Sequence, residues 1–147
     1  MRRDLAQPAV FGSFDGLASM LGPIVLLASS GHATLVFPAA LCGALSSATS
    51  MACGEWLADN DRDLAASAVM GGATFAGAIL PALPWTFTHG REAIVLSMLL
   101  CIAAGCVVAC LRPCRGTGLA LAETIGLLAL VGLVVTVCAL LLPGGAG

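Results

Sequence analysis

The chain has 147 residues, of which 59% are hydrophobic and only 10% are charged, and its mean hydropathy is +1.03. Soluble domains carry about a quarter charged residues, so this composition excludes an ordinary soluble protein. The formal net charge of −2 leaves no basic patch with which to bind nucleic acid.

Long stretches without charged residues predict the membrane-spanning helices in chain order. A hydrocarbon core about 30 Å thick needs about 20 apolar residues for each helix. The first stretch, between Gly16 and Gly54, is long enough for two helices, and each of three later stretches accommodates one. We therefore expect an all-α membrane protein with one transmembrane domain over residues 1–147. Its helices are predicted near residues 10–29, 34–57, 65–85, 93–111 and 119–142.

The basic residues predict how these five helices are oriented. All six are arginines, and positively charged residues stay on the cytoplasmic side of a membrane. One side of the topology would carry Arg2, Arg3, Arg62, Arg112 and Arg115, and the other would carry Arg91. The N-terminus is therefore expected in the cytoplasm and the C-terminus outside.

The N-terminal segment has an alternative interpretation. Met1-Arg2-Arg3 followed by an apolar run to Ala28 resembles a signal peptide. Cleavage would leave four spans and no evident soluble cargo, so we favour five spans.

The exclusive use of arginine and the abundance of alanine and glycine indicate a GC-rich bacterial genome, and hence a bacterial plasma membrane.

Three acidic residues fall within the predicted spans, namely Asp15, Glu55 and Glu123. An ionisable group inside a membrane costs about 2.5–3.5 kcal/mol, and such groups are functional candidates by default. All three are predicted at a similar depth, within a turn or two of the cytoplasmic interface, where they could admit cations. The alternative is that each carboxylate simply reaches water at the interface.

Two methionines extend this candidate site. Met51 precedes Glu55 by four residues and shares its helical face, whereas Met20 lies five residues beyond Asp15 on a less well aligned face. Carboxylates suit Mg²⁺, Ca²⁺ or Mn²⁺, and a thioether favours softer transition metals. The predicted metal ligands are Asp15, Met51 and Glu55, with Met20 and Glu123 as candidate additional ligands. The alternative for the methionines is ordinary packing.

Small residues and prolines mark where helices meet and end. Gly12 and Gly16 form a pair that lets another helix approach closely, next to the acid of the first helix. The segment from Leu80 to Trp85 contains two prolines and is predicted to end the third helix. Its tryptophan is expected in the aromatic belt at the membrane surface.

The cysteines offer a different chemistry. Cys106, Cys110 and Cys114 follow one another at four-residue spacing and share a face of the fourth helix, so they could form a thiol site or pack as small residues. The sequence has no HExxH, no paired CxxC and no phosphate-binding glycine loop. It therefore predicts neither an enzyme nor a permanently bound cofactor.

Three segments together resemble the vacuolar iron transporter family. Val10-Phe11-Gly12-Ser13-Phe14-Asp15-Gly16-Leu17 is similar to the start of that family's first helix. Ser50-Met51-Ala52-Cys53-Gly54-Glu55-Trp56-Leu57 is similar to its second-helix pattern of Ser-Met, two small residues and Gly-Glu-aromatic. The proline-containing end of the third helix, at residues 80–85, also fits.

The resemblance implies a homodimer with a cation path along the dimer axis, lined by the first two helices of each subunit. The family moves Fe²⁺, and often Mn²⁺, out of the cytosol, usually in exchange for protons. Asp15 matches its metal-binding acid in the first helix, and Met51 matches its methionine in the second.

The chain departs from that family in two ways. The cytosolic metal-binding domain between the second and third helices is replaced by Asp59-Asn60-Asp61-Arg62-Asp63, as in short members that lack it. Gly43 stands where the family often has an acid. These departures leave a second hypothesis open, which is a membrane subunit or scaffold that uses the same fold without transporting ions.

Overall fold

The computed structural model describes residues 5–59, 63–111 and 117–141, and the regular structure in those residues is helical. Five segments are long and apolar enough to cross a membrane, which confirms the prediction of an all-α protein with five spans. The helices are α1 Ala6–Ser29, α2 Val36–Ala58, α3 Leu64–Ile79, α4 Arg91–Leu111 and α5 Thr117–Leu141. Short 3₁₀ segments at Ala33–Leu35 and Leu80–Thr86 precede α2 and continue α3.

Two helix bounds differ most from the prediction: α3 ends as an α-helix at Ile79 and continues as the 3₁₀ segment Leu80–Thr86, and α1 begins at Ala6, four residues before the predicted start at residue 10. Pro8 lies in the first turn, where backbone N–H groups have no partner within the helix, so its missing N–H removes no hydrogen bond there. Gly31 and Gly90 lie in the turns before α2 and α4, and they have positive φ angles of 78° and 65°.

Helix α1 is the central element of the bundle. It contacts each of the other four helices, and its most extensive contact is with α3. Helix α2 also packs on α3, and α4 packs on α5 and on the 3₁₀ segment Leu80–Thr86. The candidate ligands on α1 and α2 therefore lie on two helices that both pack on α3.

Glycines allow α1 and α3 to touch through their backbones. A Cβ atom at Gly16 would collide with the backbone oxygen of Thr74, and one at Gly77 would collide with the backbone oxygen of Ser13. A Cβ atom at Gly12 would lie 2.9 Å from the Thr74 hydroxyl oxygen. The close approach predicted from the Gly12–Gly16 pair is therefore confirmed, and its partner is α3.

The 3₁₀ segment Leu80–Thr86 turns its tryptophan inward. Pro84 has no N–H, so it cannot donate to the Pro81 carbonyl three residues earlier, as a 3₁₀ turn requires. The Ser97 hydroxyl of α4 donates to that carbonyl at 2.6 Å instead, and it accepts a hydrogen bond from Trp85 Nε1 at 3.0 Å. Trp85 is only 4% exposed. Trp85 is therefore packed against α4, whereas a tryptophan of the predicted aromatic belt would be exposed at the membrane surface.

Candidate metal site between α1 and α2

Asp15 contacts α2 inside the bundle. It is half-buried and lies nine residues beyond Ala6, the first residue of α1. The Ser47 hydroxyl of α2 donates a hydrogen bond to Asp15 Oδ2 at 3.4 Å. Because the serine side chain is short, the carboxylate can reach α2 closely, and the two oxygens form a polar contact between two membrane-spanning helices.

Asp15 and Glu55 lie at different levels of the α1–α2 contact, whereas the sequence predicts a similar depth for the acids. Asp15 is about 14 Å along α1 at 1.5 Å per residue. Ser47, its partner on α2, precedes Glu55 by eight residues, which is about 12 Å along the helix axis. Helix α1 begins four residues earlier than predicted, so Asp15 lies farther from the start of its helix than the sequence pattern indicated.

One face of α2 carries the predicted ligands of that helix. Gly43, Ser47, Met51 and Glu55 recur every four residues, so each lies about one turn from the next on the same side. All four are half-buried. Met51 therefore lies between the level of the Asp15–Ser47 contact and the level of Glu55, as the four-residue spacing from Glu55 predicts.

Met20 of α1 reaches this face of α2 as well. Its side chain is 5% exposed, and a Cβ atom at Gly43 would lie 2.8 Å from Met20 Cε and 3.3 Å from Met20 Sδ. The thioether therefore lies against the α2 backbone one turn from Ser47. Met20 lies five residues beyond Asp15, so the two side chains do not share one face of α1 closely. The packing of α1 on α2 nevertheless brings both residues into contact with α2.

Glu55 lines a cavity of about 560 Å³ where α1 begins, α2 ends and α3 begins. The lining residues are Gln7, Pro8, Phe11, Glu55, Ala58, Asp59, Ala66 and Met70. In the loop between α2 and α3, the side chains of Asp59 and Asp63 accept hydrogen bonds from backbone N–H groups. Asp59 Oδ2 accepts a hydrogen bond from the Asp63 N–H at 2.8 Å, and Asp63 Oδ1 accepts one from the Ala65 N–H at 2.9 Å and caps α3.

Glu123 lies on another side of the bundle. Its helix, α5, packs against α1 and α4, and within the described residues no substantial packing joins α5 to α2. The same part of the chain holds no group of three or more histidine, cysteine, aspartate or glutamate side chains that could bind a metal ion. An ion at the α1–α2 contact would therefore use a mixed set of carboxylate, hydroxyl and thioether donors.

The cysteine face predicted on α4 is only partly described. Cys106 is half-buried and Cys110 is exposed, both as free thiols, whereas Cys114 lies outside the described residues. A thiol site on this face stays a prediction.

Sequence reasoning missed Ser47. The signal that could have found it is its position four residues before Met51, on the face already assigned to metal binding. A serine in an apolar helix is common, however, and only the contact with Asp15 across the helix boundary distinguishes this one.

Comparison with family models, with curated proteins and with solved structures gave no match. The resemblance to the vacuolar iron transporter family therefore rests on the three short segments of the sequence.

Proposed function

We propose that this chain is a membrane transporter that moves Fe²⁺ or Mn²⁺ out of the cytoplasm in exchange for protons. The observation that supports the proposal most directly is the contact of Asp15 with Ser47 between two membrane-spanning helices, with the Met20 thioether one turn away. A carboxylate is costly inside a membrane and persists there mainly for function. Oxygen and thioether donors together suit transition metals better than Mg²⁺ or Ca²⁺.

The candidate ligands lie at successive levels along the face of α2 that packs on α1, which suggests a route for the ion. Glu55, at the cavity, attracts cations or takes up protons, Met51 favours a transition metal, and Asp15 binds the ion. Successive positions on this face are one turn apart, which is about 6 Å for four residues. An ion leaving the cavity would therefore pass one ligand level per turn until it reaches Asp15.

The direction of transport follows from the proposed orientation. With five spans, the N-terminus and the two loops that carry Arg62 and Arg112 share one side, which the positive residues assign to the cytoplasm. The cavity lies at the start of α1 and the end of α2, so this orientation opens it to the cytoplasm. The C-terminus is then outside, and the membrane is the plasma membrane of a bacterium.

The outward face of α2 supports a homodimer built on this helix, beside the α1–α2 contact that carries the proposed ion path. Between residues 46 and 54 its exposed residues are Ser46, Thr49, Ser50, Cys53 and Gly54. Helix α5 instead exposes large aliphatic residues, among them Leu127, Leu130, Leu133, Val134 and Val137. Large aliphatic side chains suit contact with lipid, whereas small residues allow helices to approach each other closely. A second copy of this chain on α2 would cover the small residues.

The test is uptake of Mn²⁺ or Fe²⁺ into liposomes that hold the purified protein, with and without a pH gradient. Asp15→Asn keeps the size of the side chain and removes its charge, so we expect uptake to fall at least about tenfold, in line with the loss of a metal ligand. Glu123→Gln is the matched control, because it neutralises an acid on α5, and it should retain uptake. Equal uptake by wild-type protein and Asp15→Asn would contradict the proposal.

A second candidate function is a non-transporting membrane subunit or scaffold. It is favoured by the Met20 side chain, whose end fills the space that a side chain at residue 43 would occupy. This packing leaves less space for an ion between α1 and α2 beyond Asp15. Folded wild-type protein that carries no ion under either gradient would support this function and exclude the first.

A further inference from the structure

The Ser47 hydroxyl and the Asp15 carboxylate lie close enough together to bind one ion. Their oxygens are 3.4 Å apart, whereas a hydroxyl bonded to an oxygen acceptor usually lies at about 2.5–3.0 Å. Two oxygens bound to one octahedral metal ion at about 2.1 Å are about 3.0 Å apart, and rotation of the two side chains can close the remaining gap. An ion could therefore bind both oxygens without separating the helices.

Thioethers lie on both sides of this oxygen pair along α2. Met20 Sδ lies against Gly43, one turn before Ser47, because Gly43 has no side chain in that space. Met51 follows Ser47 by one turn on the same face of α2. The oxygen pair is thus the middle level of a row of donors from two helices.

The charge of the pair also suits an ion that must leave again. Asp15 supplies one negative charge, and the serine hydroxyl supplies a neutral oxygen. A divalent ion held by this pair keeps part of its charge uncompensated, which limits how tightly it binds. Conduction requires binding that is favourable enough for the ion to enter and weak enough for it to leave.

We propose that Ser47 is a second oxygen ligand of the transported ion, beside Asp15, within one protomer; this assignment rests on the proposed transport function. Without an ion, the hydroxyl donates its hydrogen to Asp15 Oδ2. When an ion binds, the hydroxyl rotates about its C–O bond and turns an oxygen lone pair toward the ion. The carboxylate then exchanges a hydrogen bond for a bond to the metal, and no backbone movement is needed.

The experiment compares Ser47→Ala with Ser47→Thr in the full chain. Mn²⁺ binding to purified protein in detergent is measured by electron paramagnetic resonance, and the KM and maximal rate of Mn²⁺ uptake are measured in liposomes. Loss of the hydroxyl in Ser47→Ala should weaken Mn²⁺ binding and raise the KM about tenfold. Ser47→Thr keeps the hydroxyl and should stay within about twofold of the wild type. The Tm of the ion-free protein should change little in either variant.

The outcomes separate the ligand from the transport function. Transport with an unchanged KM in Ser47→Ala, or an equal defect in Ser47→Thr, overturns the ligand assignment and leaves the transporter standing. A lowered ion-free Tm with unchanged Mn²⁺ binding would give Ser47 a structural role instead. If the wild-type protein binds Mn²⁺ without transporting it, and Ser47→Ala weakens that binding, the ligand assignment stands and the transport function is overturned. A wild-type protein that neither binds nor carries Mn²⁺ overturns both.

Discussion

At the scale of single residues, the α1–α3 interface tolerates no side chain where its glycines lie. Gly16 faces backbone atoms of Thr74 and Ala78, and backbone atoms cannot move aside as the end of a flexible side chain can. The same interface positions Asp15, because Asp15 is the immediate neighbour of Gly16 on α1. A change at Gly16 should therefore alter both the stability of the bundle and the placement of the acid.

We expect Gly16→Ala to destabilise the protein by about 1–3 kcal/mol or more, as overpacking of a close contact does. Thermal unfolding of the purified protein in detergent measures the effect. Gly72→Ala on α3 is the control, since a Cβ atom there meets nothing within 4 Å, and its Tm should match or exceed that of the wild type. A similar loss of stability in both variants would mean that the helices are not in contact at Gly16.

Residue patterns predicted part of the candidate site. The placement of Met51 relative to Glu55 followed from their four-residue spacing, because both lie on one helix and its period fixes their relation. The contacts of Asp15 with Ser47 and of Met20 with Gly43 depend instead on how α1 is rotated against α2. Several faces of α2 carry small residues, so the sequence pattern did not select the one that packs on α1.

At the scale of elements, the 3₁₀ segment Leu80–Thr86 depends on a side chain from α4. Its prolines leave the Pro81 carbonyl without a partner in the turn, and the Ser97 hydroxyl supplies one while accepting from Trp85. Both hydrogen bonds are buried. One hydroxyl therefore joins the end of the third span to the fourth.

Ser97→Ala should lower the free energy of unfolding by at least about 2 kcal/mol, because it leaves two buried polar groups without partners at about 1–3 kcal/mol each. Equilibrium unfolding in mixed detergents measures the loss. Thr136→Ala is the control, since the exposed Thr136 hydroxyl only returns to the Gly132 carbonyl of its own helix. If the two variants lose the same stability, the Ser97 hydrogen bonds contribute no more than an exposed one.

The elements themselves were largely predictable, because the thickness of a membrane sets the length of an apolar span. The inward direction of Trp85 was not predictable in this way. A tryptophan near the end of a span suits the membrane interface in general. Here the Pro81 carbonyl accepts a hydrogen bond from the Ser97 hydroxyl of α4, and the same hydroxyl accepts one from the Trp85 indole, which turns the ring inward.

At the scale of the whole molecule, the surface of the bundle is uneven. Helices α4 and α5 expose large aliphatic residues, while the outward face of α2 between residues 46 and 54 exposes small and polar ones. Each of these two surfaces carries an exposed free cysteine, Cys53 on α2 and Cys138 on α5. The cysteines therefore report which surface meets a second copy.

A variant that keeps Cys53 as its single cysteine should form a covalent dimer in membranes with a short bis-maleimide reagent, because the proposed dimer brings α2 of each copy to the symmetry axis. Gel electrophoresis under reducing conditions measures the fraction linked. The matched variant that keeps only Cys138 should not be linked and should run as a monomer on the denaturing gel. Efficient linking through Cys138, or none through Cys53, would contradict a dimer built on α2.

The central position of α1 also sets the order in which its contacts become available during synthesis. Its most extensive partner, α3, leaves the ribosome after α2, so a nascent chain that ends after α2 lacks the glycine contacts between α1 and α3. That chain already contains both members of the Asp15–Ser47 hydrogen bond. Both groups of the hydrogen bond at the proposed transport site are thus synthesised before the part of α3 whose glycine and backbone contacts hold α1 in the complete bundle.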